Sequence, residues 1–175
     1  MEVRRSMDMF KKGDYIIYGN SGVCQVEDIT IPDFMGDGTV EYYVLVPVRD
    51  TGRIYIPVNT NKFMRPVITK KQAMELIAQI PSIQQDDFHG RDHRMLAEHY
   101  KHSLDSHEVS DLVQLIKTIY LKNEDLATRG KRPSNTDMQF MKKAEDLLHS
   151  ELSIALGIPF HEVSAFITSQ IEQMK

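Results

Sequence analysis

Five of the chain's seven histidines, His89, His93, His99, His102 and His107, fall in one stretch, DDFHGRDHRMLAEHYKHSLDSH, residues 86–107. Imidazoles three or four positions apart share a helix face, so His89 with His93, and His99 with His102, could act in pairs. Such pairs could chelate a metal, sense pH, stack on nucleic-acid bases, or simply decorate a polar helix. A functional zinc site needs three or four converging ligands with carboxylates behind them. His93 and His99 lie six apart, on nearly opposite faces, and the His89–His93 interval lacks the glutamate of a metalloprotease helix. A polar helix is the default reading, and no metal or other cofactor is expected.

Other catalytic signatures are missing. The chain has no GxxxxGK[ST], no GxGxxG after a strand and no GxSxG. Asp86-Asp87 and Glu124-Asp125 pair carboxylates, but in polar stretches that read as solvated surface. The single cysteine, Cys24, sits in the alternating run GVCQVEDI. It reads as a small buried strand residue, and one cysteine can form no internal disulfide, which fits a reducing cytoplasm. An enzyme is therefore not expected.

Charge is informative only locally. The 175 residues carry a formal net charge of −4, with 41% hydrophobic and 26% charged residues, unlike a strongly basic nucleic-acid binder. Residues 117–143 depart from this: Lys117, Lys122, Arg129, Lys131, Arg132, Lys142 and Lys143 face only Glu124, Asp125 and Asp137. The loop GKRPS within this window has two readings. It is a solvated connection between helices, or a phosphate-contacting patch in which a loop and a helix N-terminus supply cations and free N–H groups. No apolar run approaches the roughly 18 residues of a membrane span, and MEVRRSMDMFKKGD lacks the apolar centre of a signal peptide. No membrane association is expected.

Two periodicities must position these groups. From Asp14 to about Val67 the pattern has period two, with strands expected at DYIIY (14–18), GVCQVEDIT (22–30), VEYYVLVPV (40–48), RIYIPV (53–58) and FMRPV (63–67). Five short antiparallel strands suggest a small barrel, because closure removes exposed edges. Pro47 and Pro57 imply bulges or edges. After Pro66 the period becomes helical. Thr69–Gln72 has the form of a capping box, with Ala73, Leu76, Ile77 and Ile80 as its apolar stripe. Residues 81–90 read as a flexible linker, and a helix is expected from about Arg91 to Leu104. Asp105–Glu108 resembles another capping box, opening a helix with Val109, Leu112, Val113, Ile116 and Tyr120 on one face. Residues 126–135 read as a loop, with Thr136 capping the next helix and Gly157 ending it. Pro159 suits the first turn of a final helix. The fold class is α+β: a small antiparallel barrel over 1–68, then an all-α bundle over 69–175.

These motifs resemble a known family. FKKGDYIIYGNSGVCQVEDI, EYYVLVPV, RIYIPV and MRPV, followed by SLDSHEVSDLVQLIKTIY and AEDLLHSELSIALG, are similar to the CarD-like bacterial transcription regulators over roughly residues 9–170. The FxxGDxxxYxxxGxxxVExI pattern is the specific part. The resemblance implies a Tudor-like barrel, shared with the transcription-repair coupling factor, that docks on the β subunit of RNA polymerase. It also implies a helical domain that contacts promoter DNA at the upstream edge of the transcription bubble, weakly and without sequence specificity, so that open-complex stability changes. A cytoplasmic monomer, nucleoid-associated through polymerase, is the corresponding expectation.

Carried over residue by residue, the docking surface includes Pro32, Asp33, Phe34 and Tyr55, with Arg53, a neighbouring strand residue, expected as a cationic contributor. Some members carry arginines where this chain has Pro32 and Tyr55, so docking details differ here. Members also place a tryptophan near the start of the helical domain as a minor-groove wedge, and this chain has no tryptophan. Phe88 is the stand-in, since apolar wedges at unstacked steps include Phe. His89 or His93 could stack instead, with Arg91 and Arg94 meeting phosphates. Lys131, Arg132, Lys142 and Lys143 complete the expected DNA-contacting set. The competing readings are that Phe88 packs the linker on the bundle, and that the helical domain of a Tudor-like adaptor recognises protein rather than DNA.

Overall fold

A computed structural model describes residues 10–34, 36, 38–86, 88 and 92–175. The chain divides after Val67 into two compact units. The first holds β1 (Tyr15–Tyr18), β2 (Val23–Thr30), β3 (Tyr42–Pro47), β4 (Ile54–Pro57) and β5 (Met64–Pro66). All five expected strands form, in one antiparallel sheet of order β4-β3-β2-β1-β5. A β4–β5 ladder that would close it into a barrel is not among the described pairings.

Alternation sorts the side chains. Ile16, Cys24, Val26, Tyr43, Leu45 and Ile56 face inward with Phe10, whose ring meets Tyr43 edge-on at 6.0 Å between centroids. Burial pushes the Cys24 thiol up to about 11, so it remains an inert, protonated core residue. The sheet has a bulge on β2, where Glu27 is the extra residue between Val26, opposite Leu45, and Asp28, opposite Val44. Pro47 simply ends β3, and Pro57 ends the edge strand β4, where a missing N–H costs no ladder bond.

The second unit contains α1 (Lys70–Gln79), α2 (His93–Asp105), α3 (Val109–Thr128), α4 (Asn135–Leu156) and α5 (Val163–Gln173). Its core includes Ala73, Leu76, Ile77, Tyr100, Ile119, Leu148, Leu152 and Val163. The capping box at Thr69 forms in both directions: Gln72 N–H donates to Thr69 Oγ1 at 3.1 Å, and Thr69 N–H donates to Gln72 Oε1 at 2.9 Å. Buried Glu151 accepts the N–H of Ile68 at 3.0 Å just ahead of that cap.

Several helix ends differ from expectation. Asp105–Glu108 is not a capping box. Asp105 ends α2, His107 takes the left-handed conformation with φ 59°, and Glu108 stands before α3 without a side-chain cap bond. Tyr120 is not on the buried face; Leu115 and Ile119 are, while Tyr120 is 51% exposed and bonded to Glu124. α3 runs on to Thr128, shortening the loop to 129–134. It ends in a Schellman motif, with Gly130 at φ 68°, Gly130 N–H on Ala127 O at 3.1 Å and Lys131 N–H on Leu126 O at 2.8 Å. Ser134, not Thr136, caps α4, its hydroxyl accepting Asp137 N–H at 3.1 Å. Gly157, at φ 70°, ends α4 as expected. Pro159 precedes a short 3₁₀ turn, Phe160–Glu162, rather than opening α5 itself, and the chain bends 104° between α4 and this last segment.

Candidate functional site

Two candidate surfaces arise, one in each unit. On β4, Ile54 and Ile56 point to the core, so Arg53 and Tyr55 share the opposite face. Tyr55 lies opposite Val44, and Val44 opposite Asp28, so this face runs continuously across β4, β3 and β2. Phe34, from the connection after β2, is 70% exposed and meets Tyr55 edge-on at 5.2 Å and 88°. A T-shaped aromatic pair with one exposed and one half-buried ring can anchor a protein partner. Arg53 closes the patch with a two-point ion pair to Glu27, Nε–Oε2 at 2.6 Å and Nη2–Oε1 at 2.9 Å. That hydrogen bond and the adjacent positive charge hold the Glu27 carboxyl below its ordinary range. Pro32 is buried, so of the five expected docking residues Asp33, Phe34, Arg53 and Tyr55 offer side-chain surface and Pro32 shapes the turn.

The second surface lies at the start of α2. His89 and Arg91 fall outside the described residues. Phe88 is 37% exposed and stacked on His99, with centroids 3.9 Å apart and planes 8° apart. His99 Nε2 is hydrogen-bonded to Asp86. His93 and Arg94 are exposed in the first turn of α2. Asp92 caps that turn, accepting Met95 N–H at 2.7 Å. Below Phe88 and His99 lies a cleft of about 490 Å³, reaching Tyr100, Thr118 and Lys122. Among the described residues no three of His, Cys, Asp and Glu converge as a metal set. His99, considered above as a partner for His102, instead supplies a stacking face. That role was hidden in the sequence because Phe88 lies ahead of α2, outside any helix, so its distance to His99 follows no helical spacing.

The described part of the expected linker is tied to α3. Lys117 Nζ donates to the carbonyls of Ile80, Pro81 and Ile83 at 2.9, 3.1 and 2.8 Å. Gln114 Nε2 donates to Gln84 O at 3.1 Å, and Asp86 N–H donates to Thr118 Oγ1 at 2.9 Å.

The basic window is largely self-compensated. Lys122 pairs with fully buried Asp137 at 2.9 Å, Arg129 with Asp125 at 2.6 Å, and Lys142 with Asp146 at 3.1 Å. Tyr100 OH also donates to Asp137, at 2.8 Å; burial first, and then this carboxylate, push its hydroxyl above the ordinary tyrosine range. At the α4 N-terminus the Ser134 hydroxyl takes one N–H, that of Asp137. Lys131 and Arg132 are exposed just beyond the α3 C-terminus, where cations are favoured by the helix dipole. Lys143 is exposed on α4 beside the paired Lys142.

An antiparallel sheet followed by a helical unit gives the chain an α+β architecture. Residues 10–68 match the CarD-like/TRCF RID domain. The matched residues are essentially those of the β unit, which is similar to that domain. A search of curated proteins gave no match to the chain. Among the described residues no single helix is long and apolar enough to cross a membrane.

Proposed function

We propose that this protein regulates transcription by docking its β unit on the RNA polymerase β subunit while its helical unit contacts promoter DNA at the upstream edge of the bubble. Open-complex stability is the quantity it changes. The observation that carries this reading is the coincidence of the CarD-like/TRCF RID match with a Phe34–Tyr55 anchor on the same unit. Phe88 is the stacking group on the DNA side, and His93, Arg94, Lys131, Arg132 and Lys143 are the cations or potential cations exposed to phosphates. With net charge −4, free DNA would be bound weakly. Tethering to polymerase raises the effective DNA concentration enough for modest contacts to act.

A second reading has its own support. The pairing of Lys122, Arg129 and Lys142 removes much of the expected basic field. A largely apolar groove of about 370 Å³ runs past Ile116, Tyr120, Met141, Ile167 and Ile171. On this reading the helical unit is an adaptor for a protein.

The test is a titration of the protein against an isolated polymerase β-subunit lobe, joined to open-complex lifetimes on promoter DNA. Saturable lobe binding weakened by Phe34→Ala or Tyr55→Ala supports docking, and a lifetime change lost in Phe88→Ala supports the DNA role. Lobe binding with unchanged lifetimes moves the adaptor reading to the front. No lobe binding at tens of micromolar removes the polymerase reading.

A further inference from the structure

Phe88 is held far more firmly than a half-exposed loop aromatic needs to be. Its ring lies flat on the imidazole of His99, 3.9 Å between centroids. The Asp86 carboxylate joins the two: Oδ2 takes the hydrogen bond from His99 Nε2, and Oδ1 accepts Phe88's own backbone N–H at 3.2 Å. Asp86 is in turn fixed to α3, since its N–H donates to Thr118 Oγ1 at 2.9 Å and the Thr118 hydroxyl donates to Gln114 O at 2.7 Å. The aromatic is thus attached to α2 through its ring and to α3 through its backbone. The residue remains 37% exposed.

We propose that His99 and Asp86 are positioning residues that hold Phe88 as a rigid, imidazole-backed blade for stacking on an unpaired nucleobase. This inference rests on the DNA-contacting reading above. A free loop phenyl loses rotamer and backbone freedom when it inserts beside a base, and that loss subtracts from affinity. A ring already fixed by a stack and by hydrogen bonds at each carboxylate oxygen has incurred the loss on folding, leaving its exposed surface available. The backing imidazole also thickens the blade to two π layers, compensating in part for the smaller area of a phenyl relative to an indole.

The experiment has a readout without DNA and one with it. Because the chain has no tryptophan, Phe88→Trp introduces a unique fluorophore at the blade. Contact with His99 should quench it and keep its anisotropy high. Adding Asp86→Ala or His99→Gln should brighten the emission and lower the anisotropy, whereas Asp86→Asn, which keeps an acceptor for the Phe88 N–H and a donor toward the imidazole, should restore most of the signal. On the Phe88 background, Asp86→Ala and His99→Gln should shorten open-complex lifetime about two- to tenfold, the range of one aromatic contact, and His99→Phe should recover most of it. A reporter indifferent to both substitutions would overturn the proposal. So would a lifetime that falls in Phe88→Ala but stays at the wild-type value in Asp86→Ala. A lifetime unaffected by Phe88→Ala itself overturns the DNA reading, and this inference with it.

Discussion

Arg53 and Glu27 form a two-point ion pair that spans a strand: Arg53 lies just ahead of β4, Glu27 is the bulge residue of β2, and β3 runs between them. The bulge makes this possible. One extra residue on β2 carries the Glu27 carboxylate over the face that holds Val44, which is 5% exposed, and Arg53 meets it from the far side. The guanidinium beside the aromatic pair is therefore already neutralised within its own unit.

From this follows an order of effects on polymerase docking. Phe34→Ala and Tyr55→Ala should each weaken binding to the β-subunit lobe tenfold or more, as buried aromatic anchors do. Arg53→Ala should cost clearly less, because a partner carboxylate must first displace Glu27. Titration of the three variants side by side decides the order. A weakening by Arg53→Ala that exceeds that of Tyr55→Ala would show that the cation, not the aromatic pair, is the anchor.

The α4 cap discriminates between neighbouring hydroxyls. Ser134→Ala should destabilise the helical unit by about 1 kcal/mol, the usual effect of losing an N-cap oxygen. Thr136→Ala should be close to neutral. Urea denaturation followed by circular dichroism reads both.

Lys122 sits at the surface but holds a buried charge. Replacing it with methionine strands the fully buried Asp137 carboxylate with Tyr100 as its remaining side-chain donor. Lys122→Met should therefore cost about 2 kcal/mol, well beyond the roughly 0.5 kcal/mol of an ordinary surface substitution. Tyr100→Phe should cost about 1–2 kcal/mol by leaving Asp137 Oδ1 short of a donor. Chemical denaturation of each variant is the check.

His149 gives the helical unit an acid-sensitive point. Burial beside Phe160 lowers the imidazole below its ordinary value, against the opposing pull of Glu145 and Asp146. The unfolded chain then takes up the proton first, near about pH 6.5. Stability is full above that pH, falls as pH drops through it, and levels off below the folded-state value. Urea midpoints between pH 7.5 and 5 should decline less in His149→Gln than in wild type. Parallel curves would remove His149 as a contributor.

Lys131 and Arg132 distinguish a structural from a DNA-facing loop. If they neutralise phosphates, charge reversal at both should reduce the slope of log affinity against log salt by about 0.9 for each phosphate released, with promoter DNA bound to the polymerase complex. An unchanged slope would leave them as the cationic end of α3 and nothing more.

The five strands, the Thr69 cap, the Gly157 stop and the change from period two to a helical period at Pro66 were all legible in the chain, because each depends on residues within a few positions. The segment similar to the CarD-like/TRCF RID domain, residues 10–68, is likewise a run of short strands and glycine turns. Tertiary structure decided the rest. Ser134 rather than Thr136 caps α4, and Asp137 three positions on is buried against Tyr100 and Lys122, a burial that only folding makes. Of the pairs in the basic window, Arg129–Asp125 and Lys142–Asp146 lie one turn apart on their own helices, whereas Lys122–Asp137 joins α3 to α4 and only folding makes it. Phe88 and His99, eleven positions apart, met because Asp86 was pinned to Thr118 on α3. A stack between a loop and a helix has no period to read, so only folding could bring those two rings together.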